Sequence, residues 1–185
     1  MRSGILVAFF AISFAIRIAI GGTASAATFA DCVRDAAGRD LVAKTAFQRG
    51  MRDLVVQRRP AFRSLATVNM ELQIAYAEAR RAKLDYLLKY DAGRIETTRG
   101  LVRFTNFAWS DADTEKFIEE SSSYRELDKR LATLKERNNG HPDWPKMRQY
   151  FRTALGQSLE FRALMARFQA GQRDVTAVIS RCRRS

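Results

Sequence analysis

Between residues 60 and 90 apolar side chains recur at helical spacing on two flanks of one helix. At about 100° per residue, Leu65, Val68, Leu72, Ala75, Ala79, Ala82, Tyr86 and Tyr90 fall on one flank, and Met70, Ile74, Ala77, Leu84 and Leu88 on the other. Thr67, Glu71, Glu78, Asp85 and Lys89 run between them. Two apolar flanks and one polar edge describe a helix packed on two sides and wetted along one, so the spacing predicts the central helix of a bundle. Pro60 suits its first turn, where a missing N–H costs little. The alanines of the first flank would let a neighbouring backbone come close.

Shorter periodic stretches surround it. A helical start at 29–37 is expected to break at Gly38, with a second helix at 39–57 that turns Leu41, Val42, Ala46, Phe47, Leu54 and Val55 to one side. Gly50 weakens that helix by about 1 kcal/mol relative to alanine. After Asp91-Ala92-Gly93 the stretch 93–110 has no helical period. Ser110 with Asp113 forms a capping box for a short acidic helix at 111–120, and Ser123 with Glu126 predicts a second box. The helix opened there carries Tyr124, Leu127, Leu131 and Leu134 and ends at Asn138-Asn139-Gly140. Asp143 is the expected cap of a helix running to about residue 170, kinked or broken at Gly156. Gly171 is expected to separate a last helix in which Val175, Val178, Ile179 and Cys182 stand at i, i+3, i+4 and i+7. The expected fold is therefore all-α, one domain of five or six helices over 27–185 around the long helix at 60–90.

Residues 1–26 read as a cleaved signal peptide: Arg2, a core at 5–16 that is uncharged and almost wholly apolar, and an A-x-A site at Ala24-Ser25-Ala26. That core, closed by Arg17, falls short of the roughly 20 residues that span a bilayer. Cleavage after Ala26 would leave 159 of 185 residues, enough for one domain with a sizeable core. The expected location is periplasmic or secreted. There, the two cysteines Cys32 and Cys182 are expected to form one disulfide. Closing so long a loop extrapolates to about 5 kcal/mol in the chain-entropy model.

Charge changes the picture further. The chain carries 32 basic and 20 acidic residues; without Arg2 and Arg17 the balance is 30 to 20, a net +10. Residues 34–63 are +5 and 146–184 are +7, while 111–128 are −5. If Cys32 is bonded to Cys182, the basic segments should lie side by side near the staple. Arg49, Arg52, Arg58, Arg59, Arg162, Arg167 and Arg173 are the expected basic face. Outside the cytoplasm such a face suits anionic lipid head groups, an acidic envelope polymer or an acidic protein partner better than nucleic acid, and peripheral contact with a membrane fits it.

The chemistry on offer is otherwise sparse. Glu71, Glu78 and Asp85 lie in line, but seven residues of helix rise about 10.5 Å, too far for two of them to share an ion. A solvated stripe paired with arginines is expected, with no metal site and no cofactor. His141, the only histidine, stands with Asp143 and Trp144 in a proline-flanked turn, a weak pair for acid/base work. Phe104, Phe107 and Trp109 read either as aromatics that plug the end of the bundle or as a stacking platform for a flat ligand, to which Trp144 could contribute. These features favour a non-catalytic binding or adaptor module with a basic face. The alternatives are an envelope enzyme acting on polysaccharide or peptidoglycan through His141 and Asp143, and a structural subunit.

Overall fold

The computed structural model describes residues 28–182; the expected signal peptide with its cleavage site, and Arg183 and Arg184, lie outside the described residues. Seven helices follow one another: α1 Phe29–Arg58, α2 Arg63–Tyr90, α3 Gly100–Thr105, α4 Asp111–Glu120, α5 Ser122–Asn139, α6 Trp144–Thr153 and α7 Leu159–Ile179. Short 3-10 turns stand at Pro60–Phe62, Ala92–Arg94 and Leu155–Gln157. The molecule is an all-α bundle with no strand among the described residues. None of these helices is long and apolar enough to cross a membrane.

Helix α1 packs on α2 along one flank and on α7 along another, and α5 covers the far flank of α2. The two-sided pattern at 60–90 is met in this way: Leu65, Val68, Leu72, Ala75, Ala77, Ala79, Leu84 and Tyr86 are buried. Met70, Ile74, Ala82 and Leu88 are half-buried, and Tyr90 is 48% exposed at the helix end. Helix α7 runs antiparallel to α1, with Arg58 bonded to Glu160 at one end and Cys32 at disulfide distance from Cys182 at the other, Cα–Cα 5.5 Å. Beside that staple the Thr97 hydroxyl donates to the Cys182 carbonyl at 3.0 Å.

Neither of the expected breaks at Gly38 and Gly171 occurs, because each glycine lies inside a continuous helix. A helix gripped by neighbours on two flanks gains more from burial than one glycine costs. Gly171 and Gly50 act instead as contact points between α1 and α7. A Cβ on Gly171 would stand 3.1 Å from the Ala43 Cβ, and one on Gly50 would stand 2.7 Å from Leu164 Cδ1. Gly156 does mark a break, at the turn between α6 and α7, where a Cβ would meet the Phe151 carbonyl at 2.8 Å. The stretch at 93–110 holds the short helix α3, entered through Gly100 at φ +75°, a conformation that favours glycine.

The caps follow hydrogen-bond geometry. Ser110 and Asp113 form the expected box on α4. On α5 the cap is Ser121, which accepts from the Tyr124 N–H, and Ser123 already lies within the first turn. Asp143 precedes α6 in a helical conformation, φ −83° and ψ −1°, and makes no side-chain cap. A capping side chain needs the extended backbone that Asp143 lacks.

The interior is divided. At the disulfide end Val33, Ala36, Leu84, Leu87, Phe104, Val175 and Ile179 form one apolar cluster. At the Pro60 end Leu54, Val55, Leu65, Leu72, Leu134, Met147 and Leu155 form another. Between them, at the level of α1 residue 40, lies a buried polar group. Asp40, 5% exposed, accepts from Lys44 Nζ at 2.6 Å and Gln172 Nε2 at 3.2 Å, and Arg80 comes within 4.0 Å. Burial lowers the Lys44 pKa below the usual lysine value, and Asp40 acts against that shift. An aromatic cluster of Tyr86, Phe117 and Tyr124 seats α4 on α2 and α5.

No side-chain or other atom of the fold lies within 4 Å of a Cβ at Gly38, whereas Leu164 occupies that space at Gly50. Gly38→Ala is therefore expected to stabilise the protein by about 0.4–1 kcal/mol, and Gly50→Ala to give no gain or a loss. Urea unfolding of the two variants against the parent checks both.

Candidate functional site

The basic residues do meet across α1 and α7, but at the end away from the disulfide. Residues 31–40 and 171–182, around the staple, hold four basic and four acidic side chains. There Arg34 pairs with Asp31 and Asp85, and Arg39 with Asp35. Residues 49–67 and 143–167, around the Pro60 turn, hold ten basic and three acidic side chains, a net +7. The larger excess of basic residues along α1 and α7 therefore lies toward the Pro60 turn, far from the staple, because α1 is one helix of 30 residues and so about 45 Å long.

Six of the seven expected arginines stand in that basic half. Arg49, Arg162 and Arg167 are exposed and form no ion pair among the described residues. Arg58 is spent on Glu160, Arg59 lies 5.3 Å from the centre of the Tyr150 ring, and Arg52 is half-buried. Arg173 is displaced toward the staple, since α7 carries it past the level of Asp40. The acidic helix α4 does not share this end: Phe117 packs it against Tyr86 and Tyr124 of α2 and α5.

Within the basic end lies an apolar hollow of about 190 Å3 between α1, α2 and α6. Its wall includes Met51, Val55, Leu65, Met70, Met147 and Phe151. Trp144 lines it too; its indole N–H donates to the Asn138 carbonyl, and Arg148 lies over its ring at 5.6 Å. Arg52 completes the rim. Its Nε is shut off from solvent and makes no hydrogen bond. Asp53 Oδ1 comes within 3.2 Å of that nitrogen but out of line for one.

The remaining expected residues do not join this hollow. Phe104 is 1% exposed in the disulfide-end cluster and presents no ring face, because α3 packs on α7 and buries it there. Phe107 and Trp109 are half-buried on a separate, more polar depression between α2 and α5, with Tyr76, Lys83 and Lys135. Lys83 Nζ sits 4.8 Å from the Trp109 ring centre. Burial lowers the Lys83 pKa, against the pull of Asp128, Asp113 and Asp111. Trp109 touches Tyr86 and Trp144 shares the hollow with Leu65, about 30 Å apart along α2. No single cleft therefore joins the two tryptophans.

His141 is tied into its turn. Its Nδ1 accepts from the Asp143 N–H at 3.3 Å and stands 3.9 Å from Asp143 Oδ2, and its Nε2 lies 3.3 Å from the Ser64 hydroxyl. Of the acidic stripe, Glu78 pairs with Arg130 and Asp85 with Arg34, while Glu71 is exposed. Among the described residues no group of three histidine, cysteine or acidic side chains could hold a metal ion. What the spacing of single helices did not point to is the hollow itself, with its methionines and Arg148, and the polar group around Asp40. Each is assembled from three helices, and no one stretch of chain carries its pattern.

The wall behind Trp109 is held by Asp113. Hydrogen bonds from Arg94, at 3.0 and 2.8 Å, and then from the Ser110 N–H hold its carboxyl well below the usual carboxylate range. A folded pKa depressed in this way contributes stability in full above about pH 4, and the contribution fades as pH falls toward the folded value. Asp113→Ala is expected to lose about 1–2 kcal/mol at neutral pH, with the gap to the parent narrowing at about pH 3. Urea unfolding at the two pH values measures it. No family model, no curated protein and no solved structure matches this chain.

Proposed function

We propose that this protein is an exported, non-catalytic binding module that docks the basic end of its bundle on an anionic envelope surface, with lipid head groups as the ligand. The observation that carries this is the uneven charge along the chain: a net +7 over 49–67 and 143–167 around the Pro60 turn against a net +2 over 31–40 and 171–184. An apolar hollow set among the arginines favours lipid over a purely polar polymer. A protein that presents charge and apolar surface together gains from both at a membrane interface. The disulfide suits an oxidising compartment.

The test is retention on phosphatidylcholine vesicles with and without phosphatidylglycerol. The parent should be held only by the anionic vesicles and released as salt shortens the Debye length from about 10 Å at 0.1 M to about 3 Å at 1 M. Each basic side chain near such a surface is worth about 1 kcal/mol. Arg59→Glu with Arg162→Glu should therefore weaken retention at least about thirtyfold. Arg173→Glu with Arg181→Glu, at the staple end, should leave it within about threefold of the parent. Equal loss in both pairs, or no retention of the parent at low salt, would refute the proposal.

A further inference from the structure

We propose that the hollow between α1, α2 and α6 takes the hydrocarbon tail of a single-chain anionic amphiphile, with the head group on Arg52 and Arg148. This deepens the function proposed above and takes from it the class of ligand.

Three observations converge on this site. The first is the wall, which is lined by the buried side chains Val55, Leu65 and Met147. Apolar cavities accept apolar guests, and an enclosed one of about 150 Å3 takes a benzene-sized molecule. At about 190 Å3 this hollow has room for a slightly larger piece of hydrocarbon, the end of an acyl chain. Met51, Met70 and Met147 supply flexible, polarisable thioethers, which adapt to guests of differing shape.

The second observation is the unsatisfied nitrogen. Arg52 stands on the rim of an otherwise apolar site, and its Nε makes no hydrogen bond although Asp53 Oδ1 lies 3.2 Å away. A carboxylate or phosphate oxygen would pair with this guanidinium from the open side of the rim, where the Arg52 side chain is 37% exposed. The third is the position of Arg148, exposed and laid over Trp144 on the same rim. Two cations beside one apolar hollow select an anionic head over a neutral or cationic one.

Decanoate is the probe, with decanol and decyltrimethylammonium as neutral and cationic partners of equal chain length, all below the concentration at which they form micelles. Equilibrium dialysis measures binding, and Trp144 emission in a Trp109→Phe background, which leaves one tryptophan of two, locates it. Saturable binding of decanoate is expected, at least about tenfold tighter than decanol and tighter still than the cation. Ala66→Phe, which fills the hollow, should abolish it, and Arg52→Gln should bring decanoate down to the level of decanol. The proposal is overturned if the parent binds no decanoate saturably, if decanoate and decyltrimethylammonium bind alike, or if folded Ala66→Phe binds as the parent does. Should Ala66→Phe fail to fold, Arg52→Gln decides, and undiminished binding by that variant overturns the proposal.

The vesicle assay separates this from the docking reading. Arg59→Glu with Arg162→Glu alters no residue of the hollow wall, so it should release vesicles yet keep decanoate. Vesicle retention without decanoate binding would sink the hollow and leave surface docking standing. Decanoate binding by a parent that ignores anionic vesicles would sink surface docking and leave the hollow.

Discussion

Asp40 restricts how the three long helices can slide past one another. A buried carboxylate is tolerated only when paired and hydrogen-bonded, and its partners come from α1 itself through Lys44, from α7 through Gln172 and from α2 through Arg80. Moving α7 by one turn, about 5.4 Å, would carry Gln172 out of reach. Apolar contacts along an alanine-rich seam are far more forgiving of such a slip, so the polar group supplies register that the two flanking apolar clusters do not. The disulfide and the Arg58–Glu160 pair fall at the two ends of the alignment that this register defines.

From that alignment the charge distribution follows. With α1 and α7 antiparallel and unbroken, each position on one helix faces a set position on the other, and the sequence places its balanced pairs toward Cys32 and its excess arginine toward Pro60. Helix α6 then adds Lys146, Arg148 and Arg152 to the same end. Like charges brought together in this way repel, yet several are held against apolar or aromatic neighbours: Arg59 on Tyr150, Arg148 on Trp144, Arg52 at the methionine-lined hollow. Cations resting on ring faces and thioethers keep their stems packed and their charge outward.

The disulfide end is built for a different purpose. There the chain after α2 is folded back by Arg94, which reaches Asp113 and the Ala108 carbonyl, and by Thr97, which bonds to the Cys182 carbonyl. Phe104 fills the interior, and Trp109 is fixed by a hydrogen bond from its indole to the Thr114 hydroxyl at 2.8 Å. Charge is neutralised in local pairs and the ring faces are largely consumed by one another. A wide polar depression lined by Arg94, Thr97, Thr176 and Cys182 opens beside the staple.

What the sequence determined by itself is whatever depends on neighbours along one helix. The two-flank pattern of Leu65 to Tyr86 predicted a helix buried on two sides, and α1 and α5 occupy them; the spacing Val175, Val178, Ile179, Cys182 turned the cysteine inward; Ser110 and Asp113 formed their box within four residues. Each such feature is a local periodicity or a hydrogen bond between near neighbours. Tertiary structure decided what required a second helix. Gly38 and Gly171 look like breaks until the packing that overrides them is present, and the unbroken α1 and α7 carry most of the excess arginine toward the Pro60 turn. The hollow lined by Met51, Met70 and Met147, and the partners of Asp40, are each drawn from three helices. A hydrophobic period records which side of a helix is buried, but not which residues of another helix will face it, and only that pairing makes a cavity or satisfies a buried charge.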